Sequence, residues 1–164
     1  FSGIDLNLTY WFDLFGGRMT LGAVANKTLT YEFEPFSVAG LAIPGFDAVG
    51  KLNVGTLAHP LPEYKGNAYV NYRHGPVNVR WTARHNDSYI DQRQSLTGIG
   101  RNIDSSTLHD FAAVVELPRN IQLTFAVGNI FDEEPPLVRV AEGFDAMTAD
   151  PLGRNYRLGL RVQF

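Results

Sequence analysis

The last eleven residues, 154–164, alternate between apolar and polar without a break. Tyr156, Leu158, Leu160, Val162 and Phe164 form one set, and Asn155, Arg157, Gly159, Arg161 and Gln163 form the other. A period of two marks a β-strand, because successive side chains leave a pleated backbone on opposite sides. The polar face carries two arginines, while the apolar face has no charge and ends on an aromatic ring. Such a strand suits a sheet that meets lipid on one side and a wet lumen on the other.

The same period recurs upstream. Ile4, Leu6, Leu8, Tyr10 and Phe12 alternate with Asp5, Asn7, Thr9, Trp11 and Asp13, and Phe15-Gly16-Gly17-Arg18 then supplies a tight turn. A second strand, expected over 19–34, carries Met19, Leu21, Ala23, Ala25, Leu29, Tyr31 and Phe33 on its apolar face, with Lys27 out of pattern. It exceeds the roughly 9–11 residues that cross a bilayer at a tilt, so it is expected to project beyond the membrane. Residues 35–63, rich in proline and glycine and without a period, read as a long loop.

Alternation resumes over 64–73, turns at His74-Gly75-Pro76, and continues from Val77 to about Tyr89. Residues 90–106 form a second loop. His109, Phe111, Ala113, Val115 and Leu117 begin the next strand, Pro118-Arg119 turns the chain, and Ile121, Leu123, Phe125 and Val127 follow. A third loop, 133–153, leads into the final strand. Connections therefore run short, long, short, long, short, long, which is the asymmetry of a membrane barrel with turns on one side and loops on the other. The expected fold is all-β, an antiparallel up-and-down meander of about seven strands.

Lys27, His85 and His109 break the apolar face. Each lies eight residues along its strand from Met19, Val77 or Leu117, beside the short turns. Eight residues at a tilt climb about 20 Å of an apolar band about 25 Å tall, which places all three near the far interface, where polar groups cost little.

Composition narrows the function. The net charge of −3 offers no cluster of cations to neutralise a phosphate backbone, so nucleic acid is not expected as a partner. With no cysteine, disulfides and thiolate metal sites are impossible. No run of about 18 apolar residues exists to make a transmembrane helix, a test to which barrel strands are blind. No signal peptide is read at the start, and the N-terminus is expected to be a cut into a longer protein. An open sheet cannot lie in hydrocarbon, and bacterial barrels begin at about eight strands, which also points to a piece of a larger barrel.

The reactive side chains favour architecture over chemistry. Asp132, Glu133, Glu134, Asp145 and Asp150 lack the spacing of a calcium loop and read as a solvated acidic loop. His85 and Ser88 point to opposite faces of a strand and cannot share a proton, and the four histidines are scattered, so neither catalysis nor a metal site nor a cofactor is expected. Asn129 and Asp132 are placed to close a strand end through their own backbone. Arg80, Arg84, Arg157 and Arg161 face the expected lumen. Arginine presents a planar fork to carboxylates and phosphates. Arg84, nearest the outside, is the leading ligand candidate, with Arg93, Arg101 and Arg139 in the loops behind it, against the alternative that these arginines pair with carboxylates of the protein.

Asn129-Ile130-Phe131-Asp132-Glu133-Glu134-Pro135-Pro136, Gly143-Phe144-Asp145, the run from Asp150-Pro151-Leu152-Gly153-Arg154 to Leu158, and the terminal Phe164 resemble the C-terminal end of TonB-dependent outer-membrane receptors. Leu61-Pro62-Glu63-Tyr64-Lys65-Gly66-Asn67 and Trp81-Thr82-Ala83-Arg84 fit the strands before that end. His85 departs from the family, whose members often carry an aromatic residue there. The resemblance implies that residues 1–164 are the last strands of a barrel of about 22, closed by a plug. It implies a Gram-negative outer-membrane location, an energy-coupled importer of scarce large nutrients such as siderophore-bound iron, and no enzyme activity. Its implied partners are outer-membrane lipid, the protein's own plug and remaining strands, the TonB complex, and the barrel-assembly machinery. Tyr156, Leu158, Leu160, Val162 and Phe164 match the family's membrane-insertion signal. The alternatives are a passive porin-like or adhesion barrel and a soluble lipocalin-like binding module.

Overall fold

The computed structural model describes residues 1–93 and 101–163; residues 94–100, within the expected second loop, and Phe164 lie outside them. Every regular element among the described residues is a strand. In chain order these are β1 (Ser2–Leu14), β2 (Gly17–Thr30), β3 (Glu32–Phe33), β4 (Phe36–Val38), β5 (Leu41–Ile43), β6 (Phe46–Asp47) and β7 (Tyr64–His74). They continue as β8 (Val77–Asn86), β9 (Tyr89–Ile90), β10 (Asn102–Ile103), β11 (Ser106–Leu117), β12 (Ile121–Gly128) and β13 (Asn155–Val162). The seven long strands form one antiparallel sheet in the order β1-β2-β7-β8-β11-β12-β13, each beside its neighbour in the chain. The sheet is not closed on itself. β1 and β13 are its two edges.

Registry makes the two faces continuous. Tyr10, Leu21, Val70, Trp81, Phe111, Val127 and Tyr156 stand opposite one another across all seven strands. So do Phe12, Met19, Tyr72, Val79, Ala113, Phe125 and Leu158, one row nearer the short turns. The intervening row is Trp11, Thr20, Asn71, Arg80, Ala112, Ala126 and Arg157, on the other face. A slip of one residue in any pairing would put that strand's apolar set among the polar side chains, so the pattern itself fixes the register.

The short connections are two or three residues long. Phe15 and Gly16 both adopt positive φ, at 50° and 77°, the pairing that lets a two-residue turn match the twist of its strands. Gly75 at 53° opens the second turn, and Arg119 and Asn120 carry the third.

Several boundaries differ from expectation. β2 leaves the sheet at Thr30, and Glu32–Phe33 pairs instead with Phe46–Asp47, so 19–34 is not one projecting strand. The loop 35–63 is not structureless: β4 and β5 form a hairpin about Ala39 and Gly40, both at positive φ. β8 ends at Asn86 rather than Tyr89, which belongs to the β9–β10 ribbon.

The buried apolar cluster is not in the sheet. Leu52 and Ile103, each 1% exposed, pack with Tyr89 and Val138 from three separate long connections, whereas Leu158 on β13 is 83% exposed. The long connections thus build a capping layer of their own at one end of the sheet. The sheet's apolar face has no cover among the described residues, with Ile4, Leu8, Tyr10, Trp81, Phe125, Tyr156 and Leu160 all exposed.

Candidate functional site

Of the residues that break the apolar face, Lys27 and His85 find polar partners at its loop end, whereas the buried Nδ1 of His109 has none among the described residues. Lys27 reaches the Tyr64 hydroxyl, lies 4.6 Å from the centre of that ring, and pairs with Glu63 at 3.0 Å. His85 shares a hydrogen bond with Thr107 at 2.8 Å. His109 stacks on Trp81 with centroids 5.2 Å apart and meets the edge of Phe131 at 5.0 Å.

The polar face is built differently. At its loop end Arg84 donates two hydrogen bonds to Asp110, from Nε to Oδ2 at 2.7 Å and from Nη2 to Oδ1 at 3.2 Å. The Asn129 backbone N–H adds a third bond to the same carboxylate at 3.0 Å. Arg84 therefore stands where the sequence placed it, at the loop end of this face, with its fork occupied by a carboxylate of the same sheet. A cleft of about 680 Å³ opens beside this pair, lined also by Leu108, Asp150, Asn155 and Arg157. Towards the short turns Arg73 pairs with Glu116 at 3.4 Å, and Arg18 with Asp13 at 3.5 Å. The guanidinium of Arg18 also covers the ring of Trp11 at 4.7 Å.

The loop arginines are not gathered with Arg84. Arg93 and Arg139 both bind Asp91, whose carboxylate is fully buried, at 2.9 and 2.8 Å. Each guanidinium also donates to the other arginine's backbone carbonyl. The result is a reciprocal clamp joining the second long connection to the third. Arg101 contributes its carbonyl to the Asp91 N–H at 2.7 Å, and its side chain is exposed. Nothing in the local spacing of Asp91 and Arg93 announces this clamp, because its third member lies 48 residues from Asp91.

Burial alone would raise the Asp91 carboxyl. The hydrogen bonds from Arg93 and Arg139 outweigh that and hold it low, at about 2. A depressed carboxyl stabilises the fold above its ordinary range and loses that contribution as pH falls through the folded value. Between about pH 4 and pH 2 the cap is expected to lose on the order of 2 kcal/mol. Hydrogen exchange of the residues around Leu52, Ile103 and Val138 should rise over that interval, while an Asp91→Asn variant should lack this acid-sensitive step.

A second tie joins the same connections. The Tyr89 hydroxyl donates to Asp145 at 2.6 Å, and Thr148 bonds that carboxylate at 2.8 Å. Burial, then the bond to Asp145, push the Tyr89 hydroxyl well above its ordinary range. Asn86, on the polar face, donates to the Thr148 carbonyl at 2.6 Å, so the third connection is moored to the sheet.

The acidic residues weighed as calcium ligands in this connection do not converge. Asp132 accepts the Arg154 N–H at 2.7 Å, Asp145 is buried against Tyr89, and Asp150 caps the Leu152 N–H at 2.9 Å. Among the described residues no group of three or more metal-ligating side chains converges. Asn129 closes the end of β12 as expected, bonding both the N–H and the carbonyl of Glu133 at 2.9 Å, with positive φ there and at Asp132. No family model, curated protein or solved structure matches this chain.

Proposed function

We propose that this chain is barrel wall from an outer-membrane transporter of the TonB-dependent receptor type, supplying strands and outward loops to an importer of scarce large nutrients, with siderophore-bound iron the leading class. The observation that carries the reading is the two-faced sheet: apolar rows run unbroken across seven strands without a cover, and the three longest connections gather at one end. A sheet in water buries its apolar face against a second layer. Among the described residues that layer is missing, and lipid is the solvent that makes it unnecessary. Two open edges call for further strands, which the remainder of such a barrel would supply.

On this reading Tyr156, Leu158, Leu160 and Val162, aligned on the exposed edge strand β13, serve with Phe164 as the insertion signal read by the assembly machinery. The plug and the energy-coupling complex belong to other parts of the protein and its partners.

The absence of cysteine makes the membrane reading directly testable. Single cysteines carrying nitroxide labels at Val70, Trp81, Phe125 and Leu158 are expected to collide with oxygen dissolved in lipid, and labels at Asn71, Thr82, Thr124 and Gly159 with a water-soluble nickel chelate. Equal access of the chelate to both sets would exclude a lipid-facing sheet. Import is tested by growth on chelated iron. Uptake that stops when the proton gradient is collapsed marks an energy-coupled importer, and uptake that persists marks a passive pore.

A further inference from the structure

The first long connection carries an apolar face of its own, apart from the sheet and the cap. Its two ribbons keep a single register: Glu32 stands opposite Asp47, Phe33 opposite Phe46, Phe36 opposite Ile43, Ser37 opposite Ala42 and Val38 opposite Leu41. They are one hairpin, 32–47, interrupted where Pro35 and Pro44 face each other in that register with no N–H to donate. Alternation puts Phe36, Val38, Leu41 and Ile43 on one face of the tip and only Ser37 and Ala42 on the other. Val38 is 55% exposed and Leu41 69%. A two-stranded hairpin is marginal in water, and neither β4 nor β5 pairs with a further strand. Its turn adds a cost, because Ala39 holds φ at 50°, where a side chain is uncommon. Residues 35–46 contain no charge to keep such a tip in water.

The base of the same hairpin is acidic. Glu32 lies directly opposite Asp47, a like-charge pairing that destabilises a ribbon, and Glu34 follows on the same alternation. The Asp47 carboxylate accepts from the Tyr31 and Val49 N–H groups at 3.1 and 3.2 Å, while Lys51 donates to the Asp47 backbone carbonyl. Glu32 and Glu34 are exposed and in no ion pair among the described residues. A cleft of about 330 Å³ at this base is lined by both glutamates, by Asp47, and by Phe33 and Phe46, whose rings stack 4.9 Å apart.

We infer that hairpin 32–47 is a docking surface for a partner protein, whose segment lays apolar side chains on Phe36, Val38, Leu41 and Ile43 and sets a lysine or arginine at Glu32 and Glu34. Charge selects this occupant. An anionic lipid surface would meet these carboxylates with like charge, and so would a second copy placed hairpin to hairpin. A basic segment gains ion pairs where the free hairpin holds only repulsion. Four apolar side chains make a small contact, so the association belongs to the weak, transient class. The inference rests on this connection lying outside the membrane, which the nitroxide labels on the sheet test separately.

The probe is a short fluorescein-labelled peptide of alternating valine and lysine, titrated with the protein in nanodiscs of zwitterionic lipid and read by anisotropy. Saturable binding is expected, and a peptide with glutamate in place of lysine should not bind. Val38→Ser with Leu41→Ser, and Glu32→Gln with Glu34→Gln, should each weaken binding about tenfold or more, through lost apolar burial and lost charge-assisted bonds respectively. Glu142→Gln, in the third connection, should bind as the parent does. Ala39→Asn, which suits positive φ before Gly40, should bind at least as tightly as the parent. The serine pair should leave the melting temperature of the free protein unchanged, and nitroxide access at Val70 and Phe125 reports whether each variant keeps the parent sheet. A fall in melting temperature with the serine pair would overturn the inference, by showing the face already covered within the protein. So would equal affinity for the two peptides, or no binding of the lysine peptide by the parent. A parent that dimerises until the serine pair is introduced, without binding the peptide, would also overturn it and give the face to a second copy.

Discussion

Replacing Asp91 with alanine is expected to cost the capping layer about 3–5 kcal/mol, the range for breaking a buried ion pair from one side. The carboxylate is fully buried and answers two guanidinium groups, Arg93 and Arg139. Without it those two positive charges remain together with no counter-ion. Arg139 is 25% exposed and Arg93 is 37%, so water recovers part of the loss and the effect should fall near the lower end of the range. Asp91→Asn should cost less, since one oxygen remains to accept. The damage should stay local: the tie from Tyr89 to Asp145 survives, and the seven-stranded sheet does not depend on Asp91. Limited proteolysis should therefore cut around Ile103 and Val138 in the variant while the strand segments stay protected. Equal resistance of variant and parent would show that the clamp contributes nothing.

The second large effect is expected at Gly22, where two physical tendencies oppose each other. Valine suits a strand better than glycine, a preference of about 1 kcal/mol at most. Against this, the Cβ of any replacement would meet the Tyr69 ring at 2.2 to 2.6 Å, and overpacking of this kind costs about 1–3 kcal/mol. Packing wins, so Gly22→Val should lower the unfolding midpoint in detergent. It should also drive Tyr69 off its seat and unstack Arg80, whose guanidinium lies 3.8 Å from the centre of that ring. Adding Tyr69→Ala should recover much of the stability, because the two substitutions act on one contact and are not additive. Gly159→Val provides the contrast. Its new Cβ would meet Thr124 at 3.6 Å, an ordinary contact, and the same substitution should be harmless there.

The long strands were legible because one rule, alternation, governs each of them locally, and the tight turns could be read from Gly16, Gly75 and the Pro118 segment. What could not be read was any pairing across a long connection. Arg84 was placed correctly by alternation, at the loop end of the polar face, yet its partner Asp110 lies 26 residues away across a connection that sets no register. Asp91 and Arg139 are further apart still, and both sit in stretches without a period. Residues 35–63 looked formless because their ribbons are only two or three residues long, too short for a pattern to accumulate. The tie at Asn53 is equally hidden. Its two amide hydrogens are shared among the carbonyls of Ala48, Lys51 and His59, on a backbone with positive φ, 59°.

The lengths of the connections also imply an order of assembly. β1–β2, β7–β8 and β11–β12 are closed by turns of two or three residues, so each hairpin brings its ends together at little entropic cost. The seams between hairpins, β2–β7 and β8–β11, must wait for far longer segments to close, and the final strand β13 joins in the same way. Those segments are the ones that dock on one another through Leu52, Tyr89, Ile103 and Val138. Three hairpins are thus expected to form early and independently, the seams between them to pair next in the register that their apolar pattern sets, and the cap to dock last. Pulse-labelling hydrogen exchange during refolding would show the hairpin turns protected first and the Asp91 region last.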